Sequence, residues 1–107
     1  MTTFDEREKS FEAKYQRDQE KLFRIKSRRN RLLGLWAANL LGMPDNQALD
    51  YAKDVVLSDF EEPGDDDVVR KVLKDFEERN VPMDEKTLRK EMVRLLEEAE
   101  RQINAEA

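Results

Sequence analysis

The chain has 107 residues, of which 42% are charged and 38% hydrophobic, and its formal net charge is −5. This length allows one domain, or a smaller domain with a tail, and a content of three glycines and three prolines disfavours a sheet protein with many tight turns. The chain lacks cysteine and histidine, which excludes disulfide and thiolate chemistry and removes the commonest general base and metal ligand.

The first 31 residues are basic and the remainder is acidic. Residues 1–31 contain ten Lys or Arg and six Asp or Glu, whereas residues 32–107 contain ten and nineteen. Three aromatic residues, Phe4, Phe11 and Tyr15, are spaced by seven and then four positions, so a helix would place them on one face. Few other apolar residues accompany them. This pattern predicts an N-terminal interaction arm beside a folded body.

The pattern after residue 20 is helical, and the first two predicted helices cover about residues 20–41 and 45–60. An apolar face runs along the first helix, with Arg29 as its only break. Gly42 and Pro44 are expected to end it, and Asp45 is the expected N-cap of the second. The predicted core positions are Leu22, Ile25, Leu32, Leu33, Trp36 and Leu40 in the first helix and Leu49, Ala52, Val56 and Phe60 in the second, flanked by Tyr51, Val55 and Leu57.

Two further helices are predicted over about residues 66–79 and 84–104. The Pro63–Gly64 turn precedes the third helix, which Asp65 or Asp66 is expected to cap. Asn80 and Pro82 end that helix, and Asp84 opens the fourth. The apolar stripes read Val69, Val72, Leu73 and Phe76, then Leu88, Met92, Leu95, Ala99 and Ile103, with Leu96 beside them. The prediction is an all-α fold, a small four-helix bundle preceded by a mobile arm over residues 1–19.

No catalytic constellation is visible, so the chain is not predicted to be an enzyme, and no cofactor or metal is expected. The glycines form no phosphate-binding loop, and no serine has a histidine partner. Asp50 and Asp54 are spaced as a potential acid–base pair, but a solvated helix surface is the favoured interpretation. The acidic run 65–67 lacks the spacing of an EF-hand loop, and helix capping is favoured over metal binding.

Seven basic residues lie between positions 17 and 31 and suggest two roles. They could dock the body on an acidic partner surface or simply solvate the first helix, and these alternatives stay open. Direct binding of nucleic acid is disfavoured because the rest of the chain is acidic and no recognition motif is present. The residues are Arg17, Lys21, Arg24, Lys26, Arg28, Arg29 and Arg31.

Three blocks of sequence resemble a known family. They are TTFDEREKSFEAKY at 2–15, RRNRLLGLWAANLLG at 28–42 and YAKDVVLSDFEEPGDDDV at 51–68. In order and spacing they resemble the zeta subunit of alpha-proteobacterial F-type ATP synthases, the inhibitor of ATP hydrolysis by these enzymes. The resemblance is weakest in the last helix.

The resemblance implies a four-helix body and an N-terminal inhibitory arm, here about Thr2 to Gln19. The arm would become helical in the catalytic interface between the alpha and beta subunits and block rotation of the central-stalk gamma subunit in the hydrolytic direction. A segment this charged cannot offset its ordering cost alone, but it can fold on a partner that supplies apolar surface. The predicted partner-binding residues are Phe4, Asp5, Arg7, Glu8, Phe11, Glu12, Lys14 and Tyr15.

The alternative is a helical adaptor or self-associating bundle without catalytic activity. Its heptad seam would use Phe4, Phe11, Ile25 and Leu32 at one position and Tyr15, Leu22 and Trp36 at the other, with Asp18 and Arg29 as interruptions. The favoured interpretation expects a monomer when the chain is free. The sequence shows no export signal or membrane span, so the expected location is cytoplasmic, at the inner membrane only through the synthase.

Overall fold

The structure is a computed structural model that describes the backbone of residues 2–60 and 64–106 and the side chains of residues 18–60 and 64–106. The described residues form four helices, α1 (Thr2–Leu40), α2 (Asp45–Ser58), α3 (Asp66–Glu78) and α4 (Glu85–Glu106), and no strand. This confirms the prediction of an all-α, four-helix fold. The last three helices agree with their predicted bounds within two residues.

The first helix begins well before Glu20, because the chain contains no glycine before Gly34 and no proline before Pro44. Nothing in residues 2–19 stops a helix that the later residues have nucleated. The prediction that residues 1–19 form a separate arm, mobile when free, remains a prediction.

The core lies between α1, α2, α3 and α4, where α1 packs against both α2 and α4. Trp36 is only partly buried and packs beside Phe76, with ring centroids 6.2 Å apart. The buried cluster contains Leu33, Ala37, Ala38, Leu41, Tyr51, Val55, Val68, Val69, Val72, Phe76, Leu88, Met92 and Leu95. A smaller cluster joins Ile25 of α1 to Ala99 and Ile103 of α4.

Gly34 sets the close approach of α1 to α2. A Cβ atom at this position would lie 2.5 Å from the Cα atom of Ala52, which is shorter than any normal contact. Only a residue without a side chain allows the two backbones to come this near. Ala52 therefore lies on the face of α2 that contacts α1.

Two helices end as the sequence predicted. Gly42 has φ +75°, and Met43 N–H donates to the carbonyl of Ala38, which is the Schellman motif. Asn80 takes the same position after α3, with φ 58° and a bond from Val81 N–H to the carbonyl of Phe76.

The N-caps agree only in part with the predictions. Asp84 accepts a 2.6 Å bond from Thr87 N–H, which caps α4. Hydrogen bonding from the side chain and then the backbone of Thr87 lowers the pKa of the Asp84 carboxyl. Asp45 is not the N-cap of α2, since that position belongs to Pro44 and Asp45 is the first helical residue. Asp65 does occupy the N-cap position of α3, but its side chain makes no capping bond.

Candidate functional site

The first helix leaves the bundle near Ile25. Ile25 is buried, whereas every described side chain from Asp18 to Arg24 is exposed. The longest helix packed on α1 is α4, which has 22 residues against the 39 of α1. At 1.5 Å per residue, α4 covers about 33 Å of a helix about 58 Å long. No single partner helix is therefore long enough to cover α1 along its whole length.

The predicted partner-binding residues lie on this N-terminal part of α1. Their backbone is helical, but their side chains lie outside those that the structure describes. Their role therefore remains a prediction, and the set is Phe4, Asp5, Arg7, Glu8, Phe11, Glu12, Lys14 and Tyr15.

A buried polar network holds α1 where it enters the bundle, and sequence reasoning missed it. The guanidinium of Arg29, only 2% exposed, donates bonds of 2.8 and 3.2 Å to the two carboxylate oxygens of Asp65. Its Nε donates to Asn30 Oδ1 at 3.0 Å, and Asn30 Nδ2 donates to Asp59 Oδ2 at 3.1 Å. Asp59 follows α2 and Asp65 precedes α3, so α1 is tied to both ends of the α2–α3 connection.

Arg29 is therefore not a mere break in an apolar face. Its bidentate bond to Asp65 is the geometry in which a guanidinium binds a carboxylate most strongly. The hydrogen bond from Arg29 lowers the pKa of the Asp65 carboxyl against the opposing effect of burial. The only sequence signal for this pairing was a lone arginine on an otherwise apolar helix face.

The residues of the basic stretch have different surroundings in the structure. Arg28 bonds Gln102 Oε1 at 2.8 Å and Glu106 Oε1 at 2.7 Å, so Arg28 and Arg29 both tie α1 to its own bundle. Lys21, Arg24 and Arg31 are exposed, Lys26 is half-buried, and the side chain of Arg17 lies outside those that the structure describes. The choice between docking and solvation stays open for these five residues.

The apolar side chains of the predicted second helix that are buried differ in part from those expected. Tyr51, Ala52 and Val55 are buried, whereas Leu49, Leu57 and Phe60 are 50–61% exposed and Val56 is half-buried. The Phe60 ring lies 5.9 Å from that of Phe23 of α1, which is also exposed. We call the side chains of Phe23, Leu49, Val56, Leu57 and Phe60 the outer apolar surface.

The seam of the self-association hypothesis is partly used within the chain. Ile25 is buried against α4, and Leu32 and Trp36 are partly buried against the same bundle. Leu22 is 49% exposed. Side chains already packed on the chain's own helices are not free to form a continuous seam with a second copy.

A second polar cluster lies between α2 and α3. The hydroxyl of Tyr51 donates to Asp75 Oδ2 at 2.7 Å, and Lys71 Nζ lies 3.2 Å from the same oxygen. Burial, with the bond to Asp75, raises the pKa of Tyr51 well above its usual value. Each of these three groups is satisfied by the others, so the cluster joins two helices.

The acidic residues considered from sequence are surface or ion-pairing groups. Asp50 and Asp54 are exposed, as expected. The run 65–67 does not cap α3 through its side chains; its members lie beside Arg29, Arg89 and Arg70, respectively. Among the described residues, no three acidic side chains are grouped as metal ligands.

The described helices include no candidate for a membrane span, because none combines sufficient length with sufficient apolar character.

Comparison with known proteins supports the resemblance noted in the sequence. A solution NMR structure matches with a TM-score of 0.70 and 40% sequence identity, covering 79% of this chain and 96% of that chain. No curated protein matches. The family model described as ATPase inhibitor subunit zeta matches residues 1–102. The chain therefore belongs to the ATPase inhibitor subunit zeta family, whose members are regulatory proteins and not enzymes.

Proposed function

We propose that this chain inhibits ATP hydrolysis by the F-type ATP synthase by inserting residues 2–19 into the catalytic interface between the alpha and beta subunits. The inserted helix blocks rotation of the gamma subunit in the hydrolytic direction. Membership in an ATPase inhibitor family supports the inhibitory role and an interaction with the ATP synthase. The site of action is then the head of the synthase, on the cytoplasmic side of the inner membrane.

The observation that carries the proposal is the continuity of α1 from Thr2 to Leu40. Its C-terminal half is packed in the core, and the side chains from Asp18 to Arg24 lie outside it. Force on the N-terminal half is therefore transmitted to a bundle too wide to follow a single helix into a cleft. A helix joined to a packed body in this way can act as a wedge.

The aromatic residues supply the apolar contacts of the inserted helix. Phe4, Phe11 and Tyr15 share one face at helical spacing, and buried aromatic side chains commonly dominate binding free energies. The charged residues around them, including Arg7 and Glu8, set register and the rate of encounter more than affinity.

The test is ATP hydrolysis by the isolated cognate ATPase head with increasing concentrations of protein. Replacement of Phe4 and Phe11 together by alanine should raise the concentration for half-inhibition about 30- to 1,000-fold, as expected for the loss of about 2–4 kcal/mol of binding. Deletion of Thr2–Gln19 should abolish inhibition.

The matched control is Val93→Ala, which truncates an exposed apolar side chain on α4. It should inhibit like the unchanged protein. Full inhibition by the deletion variant would show that the arm does not act as proposed. Helical circular dichroism per bundle residue should be nearly the same in all variants.

A further inference from the structure

The outer apolar surface consists of large side chains that the bundle does not cover. Phe23, Leu49, Leu57 and Phe60 each leave about half or more of the side chain exposed. Phe23 lies on α1, Leu49 and Leu57 lie on α2, and Phe60 follows α2 by two residues. The Phe23 and Phe60 rings are in contact, and Leu49, Val56 and Leu57 line one groove. Contiguous apolar surface of this kind typically marks a protein–protein interaction site.

A groove runs along this surface and carries positive charge at its edge. Its volume is about 390 Å³, and its lining is aliphatic except for two cations, Arg31 and Lys53. Residues 32–107 contain nineteen acidic residues and ten basic ones, Lys53 among them. No acidic side chain lines this groove in the described part of the chain. Its chemistry suits a partner helix with an apolar stripe and acidic flanks.

The two cations of the groove disfavour a second copy of this chain as the occupant. A two-fold symmetric contact places the same patch on both sides of the interface. The four cations of two such patches would be brought close together without an acid from either groove. A heterologous, acidic partner therefore fits better.

The position of the surface indicates which partner comes within reach. Phe23 lies eight residues after Tyr15 on α1, which corresponds to about 12 Å along a helix. A protein that holds the arm up to Tyr15 is therefore next to the outer apolar surface. This step rests on the proposed function.

We propose that the outer apolar surface is a second docking site for the ATPase head, where it receives a helix with an apolar stripe flanked by acidic side chains. The arm supplies the block to rotation, and this second contact adds affinity. Two contacts on one partner raise affinity because binding of the first places the second at high local concentration.

The first experiment tests the apolar side chains of the surface, in the full chain with Leu49→Ser and Leu57→Ser combined. Because the arm is unchanged, inhibition at saturation should stay complete, while the Kd for the isolated head should rise at least tenfold. Val93→Ser is the matched control, since Val93 is as exposed (60%) but lies on α4. Its Kd should equal that of the unchanged protein.

The second experiment tests the positive charge of the groove. It compares Lys53→Glu with Lys90→Glu, at an exposed position of α4. Reversal at the groove should raise the Kd about tenfold, whereas reversal on α4 should change it less than twofold. This difference should shrink at high salt, because an exposed charge contact is screened.

Two outcomes would overturn the inference. One is a Kd for the double serine variant no higher than that of Val93→Ser. The other is sedimentation of the free chain as a dimer that the double serine variant converts to monomer, which would make a second copy the occupant. If the proposed function itself fails, the unchanged protein does not inhibit at any concentration, and this result differs from both.

Discussion

Arg28 and Arg29 are adjacent on α1 and carry the same charge, yet they join it to different parts of the bundle in different ways. Arg29 is buried and holds Asp65 at the α2–α3 connection. Arg28 is partly exposed and holds Gln102 and Glu106 near the end of α4. One helical step of about 100° separates a buried ion pair from one at the surface.

Since the two arginines carry the same charge, we expect their burial to determine how much each ion pair contributes to the free energy of unfolding. Removal of one partner from a buried pair leaves a charge without solvent or counter-ion, which is strongly destabilising. An exposed pair exchanges its partner for water and loses little. The buried Arg29 network is one of the contacts that hold α1 where it enters the bundle, beside the packing of Ile25 on α4.

The largest effect is expected from Asp65→Ala. The Arg29 guanidinium would keep its burial but lose both carboxylate bonds, so the free energy of unfolding should fall by about 3 kcal/mol. This value is at the lower end for buried pairs because the Asp65 side chain is 37% exposed. Urea unfolding followed by circular dichroism measures it.

Asp66→Ala is the matched control, because Asp66 is the next residue and pairs with Arg89 at the surface. It should destabilise much less than Asp65→Ala. Equal losses from the two variants would show that the Asp65 effect comes from the start of α3 and not from the buried arginine.

A smaller, pH-dependent effect should distinguish the unchanged protein from Asp65→Asn. Arg29 lowers the pKa of the folded Asp65 carboxyl below its usual 3.8. The stabilisation is therefore fully present above about pH 5, well above the unfolded-state pKa, and is lost as the pH falls through the lower, folded-state pKa. The difference in unfolding free energy between the two proteins should be constant from pH 7 to about pH 5 and narrow below pH 4. A difference that stays constant down to pH 2 would contradict the ion pair.

The smallest effect is expected from Arg28→Ala, which should cost about 0.5–1 kcal/mol of unfolding free energy. Its partner Glu106 is 47% exposed, and part of the loss should disappear in 1 M NaCl, where the Debye length is about 3 Å. Arg101→Ala is the control, because its pairing with Glu98 lies within α4 and does not involve α1. A loss as large as that of Asp65→Ala would remove the distinction between the two arginines.

The two faces of α2 show where sequence reasoning was insufficient. Leu49, Val56 and Phe60 follow a helical period, and so do Tyr51 and Val55 on the neighbouring face. Periodicity cannot choose between two apolar stripes on one helix. In the structure α2 approaches Gly34 of α1 closely at Ala52, with Tyr51 and Val55 buried and Leu49 and Phe60 exposed.

The candidate site was only partly predictable for a similar reason. The aromatic spacing of the arm is local, and it was visible in the sequence together with the resemblance to the zeta family. The outer apolar surface was not, because Phe23 and Phe60 are 37 positions apart and meet only in the folded bundle. The partner residues Arg29 and Asp65 are likewise far apart in the chain.

Local signals in the sequence alone determined the number of helices and most of their ends. Gly42, Asn80 and Asp84 act through backbone conformation or a bond three residues away, so no tertiary information is needed to recognise them. Tertiary structure alone decided which face of α2 is buried and what Arg29 binds. Both depend on how closely α1 approaches distant segments, and residue spacing along one helix contains no measure of that distance.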